Sequence, residues 1–255
     1  MAQVGIQGLW NSCTSLRNKM SENYERVDFK STYGVVPYSI WESEDPKYSN
    51  PILKHLKERQ GESTRENTLK SFGGAGENTA YTATTSYFNP KLCKIIYSSY
   101  CPKNGTIFDP FSSVVRPYMA KLLNYNYVGC EVRKDECDKI GEILNTNSLF
   151  EESDVRVLNI DCREFETEQK FDLIFTCPPY WNLETYSEQE NDMSSISNYS
   201  DFLTEMSKVY SKCSSLMHDE SYCCFVVADF RDYSEGRKLV NRLVPFVSDM
   251  IRCGE

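Results

Sequence analysis

The stretch FDLIFTCPPYWNLETY, residues 171–186, decides how the rest of the chain is read. Phe171, Leu173, Ile174 and Phe175 make a short apolar run, the pattern of a strand buried on both faces. Pro178 and Pro179 then end the strand, because proline has no backbone N–H to give to a ladder. Tyr180 and Trp181 follow at once, which puts two aromatic rings at the strand's carboxyl end. In an open α/β sheet, ligands bind at that end.

The residues upstream repeat the arrangement. TIFDPFSSVVRPYMAKLLNYNYVGCE, residues 106–131, reads as a strand (106–108), a polar turn, a helix near 116–123 and a second strand (127–130). That is a βαβ unit. Asp109 sits at the tip of the first strand, and Glu131 at the tip of the second, about twenty residues on, where an acid can accept both hydroxyls of a ribose. A helix at 135–144 leads to a third strand, VRVLNI at 155–160, which ends in Asp161-Cys162. Four successive strand tips therefore carry Asp109, Glu131, Asp161 and CPPY. Downstream, residues 200–216 read as an amphipathic helix with Phe202, Leu203, Met206, Val209 and Tyr210 inward. YCCFVVA at 222–228 reads as a fifth, fully apolar strand that ends in Asp229-Phe230-Arg231, and 237–250 as a last helix. The predicted class is α/β: a mostly parallel, doubly wound sheet with helices on both faces.

The N-terminal third is less patterned. Residues 1–35 read as an arm or a short helix, 35–41 as a short apolar segment, and 51–60 as a helix started by Asn50 and Pro51. Its Lys54, Lys57 and Arg59 suit a solvated face or a phosphate contact. SFGGAGENTAYTATT, residues 71–85, reads as a mobile loop; it lacks the Lys-Ser/Thr ending of a phosphate-binding loop. At 86–100, Asn89 and Pro90 are a helix cap and first-turn proline, and Leu92, Ile95 and Ile96 form the inward stripe.

Composition narrows the classes. The 255 residues are 40% hydrophobic and 25% charged, ordinary for a globular protein. No apolar run is long enough to span a bilayer, and no secretory signal is visible, so an intracellular protein is expected. The eleven cysteines show no CxxC pair, which favours thiols over disulfides. His55 and His218 are too few and too far apart for a zinc site or a histidine base, so no metal is expected. A net charge of −9 counts against a general nucleic-acid binder, while leaving room for one local gripping patch or a partner subunit.

On these residues the chain resembles the S-adenosylmethionine-dependent DNA amino-methyltransferases. CPPY resembles their (D/N/S)PPY tetrad, and TCPPYWNLETYS is still more like a phage-type group within them. FDPF resembles their first cofactor motif, and SYFNP the segment that precedes their first strand. The resemblance covers about residues 86–232 and implies a Rossmann-like methyltransferase domain at 86–255, after an arm, helix and loop at 1–85. It implies S-adenosylmethionine as cofactor, held by Phe88, Asn89, Asp109, Pro110, Phe111, Glu131, Asp161 and Cys162. It implies methyl transfer to an exocyclic amine, adenine N6 in preference to cytosine N4, at Cys177, Pro178, Pro179 and Tyr180. Trp181, Tyr186 and Arg231 are the expected substrate contacts; for Arg231 a structural salt bridge fits equally well. DNA, with its target base flipped out or single-stranded, is the expected partner, with a partner subunit or homo-oligomer also possible. The roughly seventy residues between FDPF and CPPY leave no room for a separate recognition domain.

Three features depart from the family. The turn after Asp109 carries Ser112, Ser113, Val114 and Val115 where the family has glycines, which predicts a crowded site. Cys177 is a weak acceptor at the first position of the tetrad. The family's closing strand hairpin looks to be missing. These features suit a second reading, an inert methyltransferase-like subunit that binds nucleic acid or another chain. A third reading is an RNA base methyltransferase.

Overall fold

The computed structural model describes residues 88–145, 153–183, 186–187, 189–232 and 242–255. The predicted helix at 51–60, the loop at 71–85 and the arm lie outside these residues, as does the proposed domain boundary at 85/86. The apolar run at the centre of the sequence is strand β4 (Phe171–Thr176), with Phe171, Leu173, Ile174 and Phe175 all 0% exposed. It lies beside β1 (Thr106–Asp109), and β2 (Asn126–Cys130) and β3 (Val155–Leu158) follow outward. On its other side is β5 (Met217–Phe225). The order is β3-β2-β1-β4-β5, and every neighbouring pair is parallel. This is the order of a doubly wound, Rossmann-like sheet, and the sense in which successive strands are added switches between β1 and β4.

Helices cover both faces. One face carries α1 (Pro90–Tyr100), α2 (Val115–Leu122) and α3 (Lys134–Asn145). Leu92, Ile96, Val115, Met119, Ile140 and Ile143 from these helices pack on Ile107, Leu173 and Phe175 of the sheet. The opposite face carries α4 (Tyr199–Leu216) and α5 (Phe246–Cys253). Phe202, Met206, Val209, Phe246 and Met250 pack there on Phe108 and Ile174. Burying side chains of this size stabilises the fold by roughly 1.5–3 kcal/mol each. The local signals hold: Asn89 accepts from Lys91 N at 2.9 Å ahead of Pro90. Asn198 likewise accepts from the amides of Ser200 and Asp201.

Several expectations need correcting. Strand β3 stops at Leu158, two residues short of the predicted end. Strand β5 begins at Met217 and includes exposed polar residues; it is an edge strand of this sheet and is not fully apolar. Between Phe171 and Leu173 of β4, β5 advances from Met217 to Tyr222, so the intervening residues bulge outward. No helix covers the whole of 237–250. Arg242–Val244 is instead a strand, β7, paired antiparallel with β6 (Phe230–Asp232). The residue before a proline is pushed toward extended backbone, and Pro245 follows Val244. Phe230 and Val244 lie opposite each other and both bury against the α5 side of the core. A closing strand pair is therefore present, as a separate two-stranded sheet. No helix among the described residues is long and apolar enough to cross a membrane. None of the described cysteines is in a disulfide.

Candidate active site

The carboxyl ends of β1 to β4 enclose one cavity of about 370 Å³, within the range of small-molecule sites. Around it stand Pro110 and Phe111 after β1, Glu131 after β2, Asp161 and Cys162 after β3, and the whole tetrad Cys177–Pro178–Pro179–Tyr180 after β4. Phe88 and Tyr186 also line it. The sheet geometry brings these together: parallel strands start their loops on one edge, and the switch between β1 and β4 opens a crevice there.

Three expected contacts sit elsewhere. Asp109 is 0% exposed and lies beneath the cavity. Its Oδ1 accepts from Phe111 N at 3.1 Å and Thr176 Oγ1 at 2.6 Å. Its Oδ2 accepts from Arg116 Nε at 2.6 Å and Tyr127 Oη at 2.5 Å. Four donors occupy the carboxylate, so Asp109 ties β1, β2, β4 and α2 together at the switch point and has no face toward a ligand. Trp181 turns inward: it is 8% exposed, its indole N–H donates to the Ile196 carbonyl at 2.8 Å, and its ring meets Tyr199. The chain enters that turn with Trp181 at φ 50°, a left-handed value uncommon for an aromatic residue. Asn89 is the α1 cap and does not line the cavity. The side chain of Arg231 lies outside the described residues.

Part of the crowded turn is accommodated on the neighbouring strand. Ser112 N donates to the Cys130 carbonyl at 2.8 Å, which draws the turn down onto β2. A Cβ at Gly129 would lie 2.6 Å from Ser112 Oγ and 2.7 Å from Ser112 Cβ. The missing side chain at Gly129 thus makes room for that of Ser112. Ser112 Oγ and Tyr127 Oη are 3.0 Å apart. Since Tyr127 gives its proton to Asp109, Ser112 is the donor to Tyr127.

Glu131 and Asp161 differ in how their carboxylates are engaged. Burial pushes the Glu131 carboxyl up from 4.5 to about 7, against the opposing pull of the Arg133 amide and guanidinium. Its Oε1 accepts from Arg133 N at 2.8 Å, with Arg133 Nε at 3.7 Å. Asp161 is held much more tightly. Arg163 donates to Oδ1 from its backbone N and Nε, and to Oδ2 from Nε and Nη2. The same guanidinium reaches Glu205 at 2.5 Å and the Asn191 carbonyl at 3.1 Å. The donors on Asp161 fill the in-plane acceptor positions of both oxygens. Cys162 lines the site as a thiol, because burial and the nearby Asp161 push it up to about 12.

Tyr180 is half-buried, its ring 5.1 Å from that of Phe246 and 6.0 Å from Phe230. The β6–β7 pair and α5 thus brace the tetrad from behind. Sequence reasoning missed Arg116, Arg133, Arg163, Thr176 and Asp192 as parts of this site. Arg116 had a legible signal: an acid and a base seven residues apart flank the turn from β1 to α2. Asp192, whose carboxylate accepts from Ser187 Oγ and Ser194 N, had none beyond its polar loop.

No family model matches the sequence, and no curated protein sequence is similar to it. Solved structures resemble it at low identity. Cyclopropane synthase MmaA2 from Mycobacterium tuberculosis is 10% identical with a TM-score of 0.40, over 53% of this chain and 41% of that one. An S-adenosylmethionine-dependent methyltransferase from Clostridium acetobutylicum is 12% identical with a TM-score of 0.39, over 60% of this chain and 53% of that one. TrmN from Thermus thermophilus is 13% identical with a TM-score of 0.37, over 51% and 36%. The chain spans about two fifths to one half of the length of these proteins.

Proposed function

We propose that the chain is an S-adenosylmethionine-dependent methyltransferase that acts on an exocyclic amine of a nucleic-acid base, adenine N6 of DNA in first place. The observation that carries the reading is the single cavity shared by the strand-tip acid Glu131 and the tetrad Cys177–Tyr180. The residues present suit the cofactor. In this reading Glu131 would accept the ribose hydroxyls, and Phe111, Cys162 and Val132, which line the same cavity, would wall the adenine. Asp161 would receive the adenine amine, sharing its oxygens with Arg163.

The bound cofactor supplies a methyl group on a positively charged sulfur, a group open to attack by a nitrogen lone pair. An exocyclic amine holds that lone pair in conjugation with its ring. The Pro178 carbonyl, with no strand partner among the described residues, can accept one amine hydrogen, and Cys177 stands beside it as a weak second acceptor. Both would draw the nitrogen toward a tetrahedral shape and stabilise the positive charge it gains as the N–C bond forms and the C–S bond breaks; the extra amine proton then passes to solvent. Tyr180 supplies a stacking face, worth about 1–3 kcal/mol per base. The rest is positioning: the tetrad's two prolines hold the acceptors rigid, and Phe246 and Phe230 hold the ring.

The test is methyl transfer from labelled cofactor to single-stranded DNA, duplex DNA and RNA, alongside calorimetric titration of the chain with S-adenosylmethionine. Transfer to DNA alone supports the reading. Transfer to RNA alone moves the substrate to RNA, and the absence of binding heat with the fold intact moves the chain to an inert scaffold.

A further inference from the structure

Arg116 is 3% exposed and still lines the cavity. Three contacts hold it. Nε is 2.6 Å from Asp109 Oδ2, Nη2 donates to the Phe111 carbonyl, and Cζ lies 4.9 Å from the centre of the Phe88 ring. Its backbone is held too, since Tyr97 Oη donates to the Arg116 carbonyl at 3.1 Å. The remaining nitrogen, Nη1, has no hydrogen-bond partner among the described residues, and it is not an occluded atom. Because Arg116 lines the cavity, Nη1 is the donor it has left for a ligand there. Cys177 of the tetrad lies within electrostatic reach of the same guanidinium.

Asp109 already balances the charge of Arg116, but the guanidinium still has one N–H donor unused, and such a donor suits a hydrogen-bond acceptor such as a carboxylate oxygen. A nucleic-acid phosphate runs over the surface and cannot reach a side chain this deeply buried. A small ligand's carboxylate, inserted between Phe88 and Cys177, can. We propose that Arg116 anchors the α-carboxylate at the amino-acid end of the cofactor. This rests on the cofactor reading above. It also accounts for the serines and valines of the turn after Asp109: a side-chain donor stands where glycines would expose backbone amides. Arg116 is a binding residue and Asp109 the group that positions it.

The experiment is a calorimetric titration of the full chain with S-adenosylhomocysteine and with its decarboxylated analogue, which keeps the amine. The analogue is expected to bind about 10- to 100-fold more weakly, the effect of losing one hydrogen bond between charged groups. Equal affinities overturn the anchor and leave the cofactor reading standing. Binding of neither overturns the cofactor reading, and the anchor with it. Arg116→Gln alone would strand Asp109, so the second arm is Asp109→Asn with Arg116→Gln, which keeps the pair neutral. In that double variant the two ligands should bind within about twofold of each other. A preference retained there, with the circular dichroism spectrum unchanged, overturns the assignment.

Discussion

Ser112 Oγ lies where it does because Gly129, on the adjacent strand, has no side chain: a Cβ there would come within 2.6 Å of it. Gly129→Ala should therefore destabilise the chain by about 1–3 kcal/mol, the usual effect of overpacking a filled site. Ser112→Gly should recover part of that loss in the double variant, because two of the three closest atoms belong to Ser112. The three variants form a cycle read by urea unfolding. Strictly additive losses would show that the two residues do not compete for the same space.

Asp109 accepts four hydrogen bonds at the switch point, one of them from a buried guanidinium. Asp109→Asn removes the charge that compensates Arg116. Breaking a buried ion pair from one side costs about 3–5 kcal/mol. A clear fall in the urea midpoint is expected even without ligand. If Asp109 acted only as a ligand contact, the midpoint would not move.

Glu131 sets a pH dependence. Its carboxyl is raised, so between pH 4.5 and about 7 the folded chain keeps a proton that the unfolded chain has lost. The stability it contributes is complete below pH 4.5 and is lost as pH rises through about 7, a change of roughly 3 kcal/mol. Glu131→Gln should remove this drift, which chemical unfolding at pH 5 and pH 8 would detect. Cofactor binding should run the other way. Ribose hydroxyls donate to the ionised form, so affinity should rise from pH 6 to pH 8 in the wild type and stay flat in Glu131→Gln.

Tyr180 follows β4 and Glu131 follows β2, with β1 between them along the edge of the sheet. Tyr180→Ala should abolish methyl transfer while leaving the cofactor dissociation constant nearly unchanged, and Tyr180→Phe should keep the stacking face and much of the rate. Because the ring packs on Phe246 and Phe230, the alanine variant should also lose some thermal stability. Equal losses of cofactor affinity and of rate would contradict the division of roles.

Arg163 fills both oxygens of Asp161 and clamps the Asn191 carbonyl. Arg163→Met should loosen the loop around Asn191, seen as faster amide exchange there. If Asp161 receives an adenine amine, the same variant should not weaken cofactor binding, since the carboxylate becomes more available. A tenfold or greater loss would mean that Asp161 must be oriented by Arg163 to work.

The fold was legible because its signals are local. The apolar run at 171–175, the prolines after it, and the cap at Asn89 act within a few residues of chain, and each holds in the structure. The same locality placed Glu131, Asp161 and the tetrad at strand ends, because strand ends are where such runs stop. The reading failed where a distant partner decides the outcome. Residues 242–244 carry a pattern that suits a helix, yet they pair with 230–232 across a break in the described chain. Trp181 looks like an exposed ring beside Tyr180, yet a backbone carbonyl fifteen residues on draws it inward.

By itself, the sequence determined that successive strands would end in acids and a diproline tetrad, since hydrophobic period and proline geometry are properties of neighbouring residues. Which of those acids could face a ligand was decided only by the tertiary structure. Asp109 and Glu131 look alike as strand-tip acids, but a carboxylate's role depends on which donors surround it, and those donors come from other strands. Arg116, Tyr127 and Thr176 close around the first, and the cavity opens beside the second.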